Sequence, residues 1–341
     1  MARNVYGLDL GSSQVKIYDK KQDKIIQDRN VLAMNNTDNS ILAIGNDAYL
    51  MNGRVPSNID VVFPMHEGVV SRFDIMQNVL SGMINRESTY VRGSEYVVAV
   101  PTDVTEVEKK AFYDLVIHSN AKAREVNIVE RSIADAIGLN IDIKETHGVM
   151  IVNIGGETTE ISILAGGGMV LNRLVKTGGI HIDQFIVDLL RRSQDFLIGI
   201  ATAEMLRRNF NVFTDDNNAS QNIAGIDLIT GVPMQKNVPI AVVRGAIKDP
   251  LDSVISAMFS LLDRTPPEVH KAISKNGIYI TGGIANMKGI EQYIEHSVNI
   301  KSRIVAKPEF SAIKGIKRII MSKDLKSFAY SMVDENYRWM R

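Results

Sequence analysis

The sequence contains no cysteine, which excludes disulfides and thiolate metal sites and fits a reducing cytoplasm. It has no excess of either charge. Lys plus Arg and Asp plus Glu number 39 each, so no global field argues for nucleic acid or an anionic surface as a partner. The six histidines are scattered without metal-ligand spacing. No apolar run approaches the ~18 residues of a membrane span, and MARNVYGLDL enters a strand pattern at once, leaving no room for a signal peptide. No Gly-Lys-Ser or Gly-Lys-Thr P-loop, G-x-S-x-G elbow or H-E-x-x-H helix occurs. A soluble, cytoplasmic protein is expected. What the chain does have is length and apolar content: 341 residues, 45% of them hydrophobic, suffice for a large core and for two or more domains.

The stretch IVNIGGETTEISIL (151–164) runs a buried apolar strand into two glycines and two threonines before a second strand leaves, a turn suited to wrapping an anion. VYGLDLGSSQVKIYD (5–19) has the same layout. Two such hairpins far apart in one chain suggest duplicated lobes. YVVAVP (96–101) reads as a buried strand and VTEVEKKAFYDLVIHSN as an amphipathic helix, so strands and helices alternate and the class is α/β. In IDQFIVDLLRR (182–192), Ile182, Phe185, Ile186, Leu189 and Leu190 share one helical face. A polar loop, TDDNNASQN (214–222), follows. Asp249 and Pro250 then open a helix that Pro266 and Pro267 close, and NGIYITGGIANMKGIEQYI (276–294) reads as strand, glycine turn and helix. Taken singly, a glycine turn after a strand is usually only a turn. Three in this order are far less expected by accident.

The chain resembles the actin and heat-shock chaperone ATPase superfamily, and within it the MreB proteins, bacterial actins that govern rod shape. GLDLGSS is similar to the first phosphate motif, VNIGGETTE to the second and GIYITGGIANMKGI to the adenosine motif. Residues 40–74 resemble the segment around the small first insertion. TGGIHIDQFI and IGIATAEMLRR resemble the second, nucleotide-facing insertion, with GIDLITGVP (225–233) after it. The resemblance spans about residues 5 to 315. It implies an actin-like two-lobed fold with duplicated ribonuclease-H-like cores and two small insertion subdomains. The implied boundaries are 1–32, 75–143 and 311–341 for subdomain IA, 33–74 for IB, 144–180 and 242–310 for IIA, and 181–241 for IIB.

It also implies ATP and Mg2+ as cofactors. Asp9 would hold the metal through water, while Gly11, Ser12 and Ser13 offer backbone donors to the phosphates. Gly155, Gly156 and Thr158 would do the same from the second hairpin, Thr158 being the one catalytic candidate. Glu204 and Arg207, one helical turn apart, correspond to adenosine contacts; a solvated ion pair between them is the alternative. Gly282 and Gly283 would let the backbone approach the nucleotide closely.

Departures from the family bear on chemistry. Members usually carry Asp at 153, Gly at 157 and a Glu-Glu-Pro run where this chain reads Glu130, Arg131 and Ser132. Arg131 then stands where a glutamate positions the attacking water, and a cation cannot accept that water's proton. Glu130 is adjacent, but neighbouring side chains on a helix diverge by about 100°. Glu157 either supplies the carboxylate that Asn153 lacks or points into solvent. Like charges ~4 Å apart cost about 1 kcal/mol in water and about 4 kcal/mol at an effective dielectric near 20, so Glu157 also bears on nucleotide affinity.

The expected function is therefore a cytoskeletal one: ATP binding and polymerisation into filaments organising cell shape or wall synthesis, with weak or absent hydrolysis. The alternative is a degenerate, non-polymerising homologue that acts as a nucleotide-sensing partner of active subunits. Expected partners are copies of itself, other MreB-like subunits and membrane proteins of the wall-synthesis machinery, with no nucleic acid. Membrane attachment at the inner face of the cell membrane would be weak and assembly-dependent, since NRESTYVRGSEY (85–96) offers mainly Tyr90 and Val91.

Overall fold

Each of the two hairpins seeds a five-stranded sheet of its own. The computed structural model describes residues 4–87, 93–118, 123–213 and 218–332, and the chain divides into two units. The first comprises Met1–Thr146, Ala165–Met169 and Phe310–Arg341, and the second His147–Leu164 and Val170–Glu309.

In the first unit, β1 (Val5–Leu10), β2 (Gln14–Asp19) and β3 (Lys24–Arg29) form an antiparallel meander. β4 (Leu32–Asn35), β5 (Ile41–Ile44), α1 (Asn46–Met51) and β6 (Ile59–Val62) make a small inserted sheet, followed by the short pair β7 (Met65–His66) and β8 (Val69–Val70). After α2 (Phe73–Glu87) the chain re-enters the main sheet with β9 (Glu95–Val100), crosses over through α3 (Glu106–Ile117) and adds β10 (Glu125–Glu130) before α4 (Arg131–Gly138). The order is β10-β9-β1-β2-β3, with β9 parallel to both β1 and β10. α3 starts on the capping box that its sequence announces: Thr105 Oγ1 accepts from the Glu108 amide, and the Glu108 carboxylate accepts from the Thr105 amide at 2.7 Å.

The second unit repeats the plan with β11 (Val149–Ile154), β12 (Thr159–Ala165) and β13 (Gly168–Val175). Its insertion holds α5 (Gly179–Gln194), β14 (Phe196–Leu197), α6 (Ile200–Asn209), β15 (Ser220–Asp227) and β16 (Pro233–Pro239). α7 (Ile240–Arg264), α8 (Pro267–Asn276), β17 (Ile278–Thr281), a 3-10 turn at Gly283–Asn286, α9 (Ile290–Val298) and β18 (Ser302–Ile304) complete it. The order β13-β12-β11-β17-β18 matches the first sheet strand for strand. Central strands are buried on both faces, which is why they read as continuous apolar runs. Leu8, Leu10, Ile17, Val98 and Phe112 anchor one core; Val152, Ile154, Ile161, Ile186 and Met258 anchor the other. In the first unit α10 (Ser311–Met321) lies against α4 so closely that a Cβ on Gly315 would overlap the Ala134 carbonyl.

Several sequence expectations need correction. Pro250 does not open a helix; it sits inside the 25-residue α7. The proline forfeits a hydrogen bond, but the buried face of Val243, Ala246 and Ile247 continues without a break into Leu251, Val254 and Met258, and that burial holds the helix together. Phe185 is 46% exposed; the buried stripe of α5 runs instead through Ile182, Asp183, Ile186, Val187 and Leu190. The end of the polar segment 214–222 is strand, since Ser220, Gln221 and Asn222 pair with β16. Glu130 ends β10 and precedes α4 rather than sharing its helix with Arg131. Tyr90 and Val91 lie outside the described residues. Among the described residues, no helix is long and apolar enough to cross a membrane.

Candidate functional site

The first hairpin closes on a single backbone bond. The Gly11 amide donates to the Gln14 carbonyl at 3.0 Å, while Asn30 takes the turn's outward carbonyls: its Nδ2 donates to Gly11 O at 2.9 Å and its amide to Ser13 O at 3.1 Å. Gly11 is therefore no donor for a ligand, contrary to the sequence expectation. Among the described residues, the Ser12 and Ser13 amides have no partner. The second hairpin is built the same way. Gly155 donates to the Thr158 carbonyl at 2.8 Å, and the start of α5 caps the turn, Gly179 donating to Gly155 O at 3.0 Å and Ile180 to Gly156 O at 2.7 Å. Here Gly155 is spent on the turn and the Gly156 amide is left. Gly178 has to be glycine for this docking, because a Cβ would stand 2.7 Å from both the Glu157 amide and Gly156 O. Thr158 is buried at the end of the turn.

Asp9 is 5% exposed and does not stand alone. Hairpin register puts Lys16 directly across from it, and the Lys16 ammonium donates to Asp9 Oδ2 at 3.1 Å. From the start of α4, Arg131 Nε lies 3.4 Å from Asp9 Oδ1 while its Nη2 donates to the Leu10 carbonyl at 3.0 Å. Lys16 and Arg131 are each 7% exposed, so a carboxylate and two cations share one buried cluster of net charge +1. Burial opposes ionisation of Asp9, but Lys16 and Arg131 together outweigh it and hold the carboxyl below its ordinary value. Sequence reasoning missed Lys16. Counting outward from the turn would have found it, since Leu10 faces Val15 and Asp9 faces Lys16.

These residues do not fit a magnesium ion at Asp9. Both carboxylate oxygens are engaged by fixed cations, which a metal ion or its bound water would have to displace. In the second unit Asn153 faces Glu160, which is 5% exposed. Glu160 is a second buried charge that the sequence reading passed over. Glu157 is half-buried in the turn.

The remaining candidates gather around α5. Arg207 does not reach for Glu204; it grips Asp183 through two parallel bonds, Nε to Oδ1 at 2.6 Å and Nη2 to Oδ2 at 2.9 Å, both residues being buried. Glu204 accepts from Arg208 at 2.7 Å, so the ion pair between Glu204 and Arg207, the alternative to their adenosine role, gives way to two other pairs. Asp183 could have been flagged as a charge inside an apolar stripe. Gly179 brings this clamp to the adenosine motif, a Cβ there standing 3.4 Å from Arg207 Nη2 and 2.5 Å from Ile284 Cδ1. Gly282, with φ 87°, lies in the left-handed region, and a Cβ would stand 2.7 Å from Asn153 Oδ1, so the protein itself demands this glycine. A Cβ on Gly283 would meet nothing within 4 Å, which keeps that position open to close approach.

A family model described as MreB/Mbl protein matches residues 3–327. The chain belongs to the MreB/Mbl family. Its fold is that of the actin-like cytoskeletal proteins. It is 31% identical over 323 residues to the cell shape-determining protein MreB of Escherichia coli strain K12, covering 92% of each chain. It is 30% identical over 312 residues to the cell shape-determining protein Mbl of Bacillus subtilis strain 168, covering 90% of this chain and 92% of that one. Among solved structures, MreB5 of Spiroplasma citri bound to AMPPNP superimposes with a TM-score of 0.90 at 28% identity, over 96% of this chain and 98% of that one.

Proposed function

We propose that the chain is a filament-forming cell-shape protein that takes up an adenine nucleotide and hydrolyses it weakly or not at all. The observation that carries this reading is the pair of hairpins with matching closure, Gly11 to Gln14 and Gly155 to Thr158, in a chain whose matched relatives are shape determinants and include one solved with AMPPNP. Ser12, Ser13 and Gly156 supply the phosphate-facing amides, Thr158 and Glu157 line the second turn, and Glu204 and Gly283 face the adenosine. Weak hydrolysis is supported by Arg131, whose guanidinium is committed to Asp9 where an acceptor for the water's proton is needed. The first partner is a second copy of the chain in protofilaments. Other subunits of the family and membrane proteins of the wall-synthesis machinery are further partners, at the inner face of the cell membrane.

Sedimentation with and without ATP tests this. Pelleting that depends on nucleotide is expected; protein that binds nucleotide yet stays in the supernatant at every concentration would instead be a nucleotide-sensing partner of other subunits.

A further inference from the structure

Polyphosphate sites must neutralise several negative charges, and in phosphoryl-transfer proteins a divalent ion held by carboxylates usually does so. In this chain the carboxylate available for that task, Asp9, is clamped between Lys16 at 3.1 Å and Arg131 at 3.4 Å. We propose that the chain binds its nucleotide without a divalent cation, Lys16 and Arg131 supplying the positive charge that the ion would otherwise bring to the phosphates. The inference rests on the reading of the hairpins as a nucleotide site.

Three observations carry it. The cluster of Asp9, Lys16 and Arg131 has a net charge of +1 and is more than nine-tenths buried, where charge acts with little screening. A divalent ion brought to Asp9 would meet two fixed cations, whereas a phosphate would meet them together with the unpartnered amides of Ser12 and Ser13. Asp9 takes one of the three Lys16 donors. Asp9 thus changes from an ion holder into a positioning residue for two cations. In the second unit Asn153 brings no charge to the position facing Glu160.

The test is a titration of the full chain with a fluorescent ATP analogue, in millimolar magnesium and again in EDTA. Dissociation constants agreeing within about threefold are expected, and Lys16→Met should weaken binding in EDTA by about tenfold or more, a loss that Lys16→Arg should not show. Binding that appears only with magnesium would overturn the inference while leaving the nucleotide reading intact, and loss of that dependence in Glu160→Gln would assign the ion to the second hairpin. Absence of binding in both buffers would remove the nucleotide reading, and this inference with it. The comparison on the unmodified chain stands even if a variant fails to fold.

Discussion

Replacing Asp9 by asparagine preserves the shape of the side chain and removes the single negative charge that Lys16 and Arg131 share. At the observed separations of 3.1 and 3.4 Å, each attraction is worth about 5 kcal/mol at an effective dielectric near 20. Much of that only offsets the cost of burying the ions, and removing one partner of a buried pair typically costs about 3–5 kcal/mol. For a unit of this size that lowers the melting temperature of the nucleotide-free protein by roughly 6–20 °C. Adding Arg131→Met to Asp9→Asn removes one stranded cation and should recover a good part of the loss. The acid limb provides a second reading. Because the folded carboxyl sits below its ordinary value of 3.8, its contribution is fully present above that value and is lost as pH falls through the lowered one. The gap in melting temperature between wild type and Asp9→Asn should therefore be constant near neutrality and shrink below about pH 4. Scanning calorimetry across this range decides it: an Asp9→Asn protein melting within about 2 °C of wild type at neutral pH would refute the shared-carboxylate cluster.

Wild-type phosphate release should be near background, and Arg131→Glu combined with Asn153→Asp should raise it by at least about tenfold, short of the 10²–10⁴ range of a well-placed base because Glu157 stays in the second turn. Equal release from both proteins would remove Arg131 and Asn153 as determinants of the rate. Arg207→Ala leaves Asp183 buried without its cation and should cost about 3–5 kcal/mol even without nucleotide. Glu204→Ala breaks its pair with the exposed Arg208, should change the free protein by no more than about 1 kcal/mol, and should reduce the thermal shift that nucleotide induces.

The sheets were legible because a strand buried on both faces writes itself as an uninterrupted apolar run, and a tight glycine turn between two such runs leaves one pairing open. That is why VYGLDL with QVKIYD, and VMIVNI with TEISILA, form the hairpins their sequences describe. α7 was misread because a local rule about proline outweighed a tertiary fact: burial on both sides of Pro250 stabilises a continuous helix that the missing amide would otherwise break. The candidate site was legible in its turns and much less so in its side chains. Lys16 lay within reach of a register count. The partners of Arg207 and of the Gly11 carbonyl did not, since Asp183 and Asn30 stand 24 and 19 residues away and only the folded chain selects them. The same holds for Arg131, which is 121 residues from the Leu10 carbonyl it touches.

What closes each turn is a backbone bond, Gly11 to Gln14 and Gly155 to Thr158, with the turn carbonyls taken by the Asn30 side chain and amide in one case and by the first amides of α5 in the other. None of those bonds involves the side chains at positions 9, 16, 131, 153 or 160. Substitution there leaves the turn standing while changing the charge around it, one unit at a time. Register makes the consequence specific, because Asp9 faces Lys16 and the equivalent pair in the second unit is Asn153 and Glu160. With Arg131 included, the first turn sits beside a net positive cluster; the second sits beside a buried carboxylate and carries Glu157 as well. An anion approaching the first turn meets two cations beside it, and one approaching the second is offered the Gly156 amide. The proposed weak hydrolysis and the proposed phosphate binding would therefore have separate structural origins, the first in the side chains at 131 and 153 and the second in the backbone of the turns.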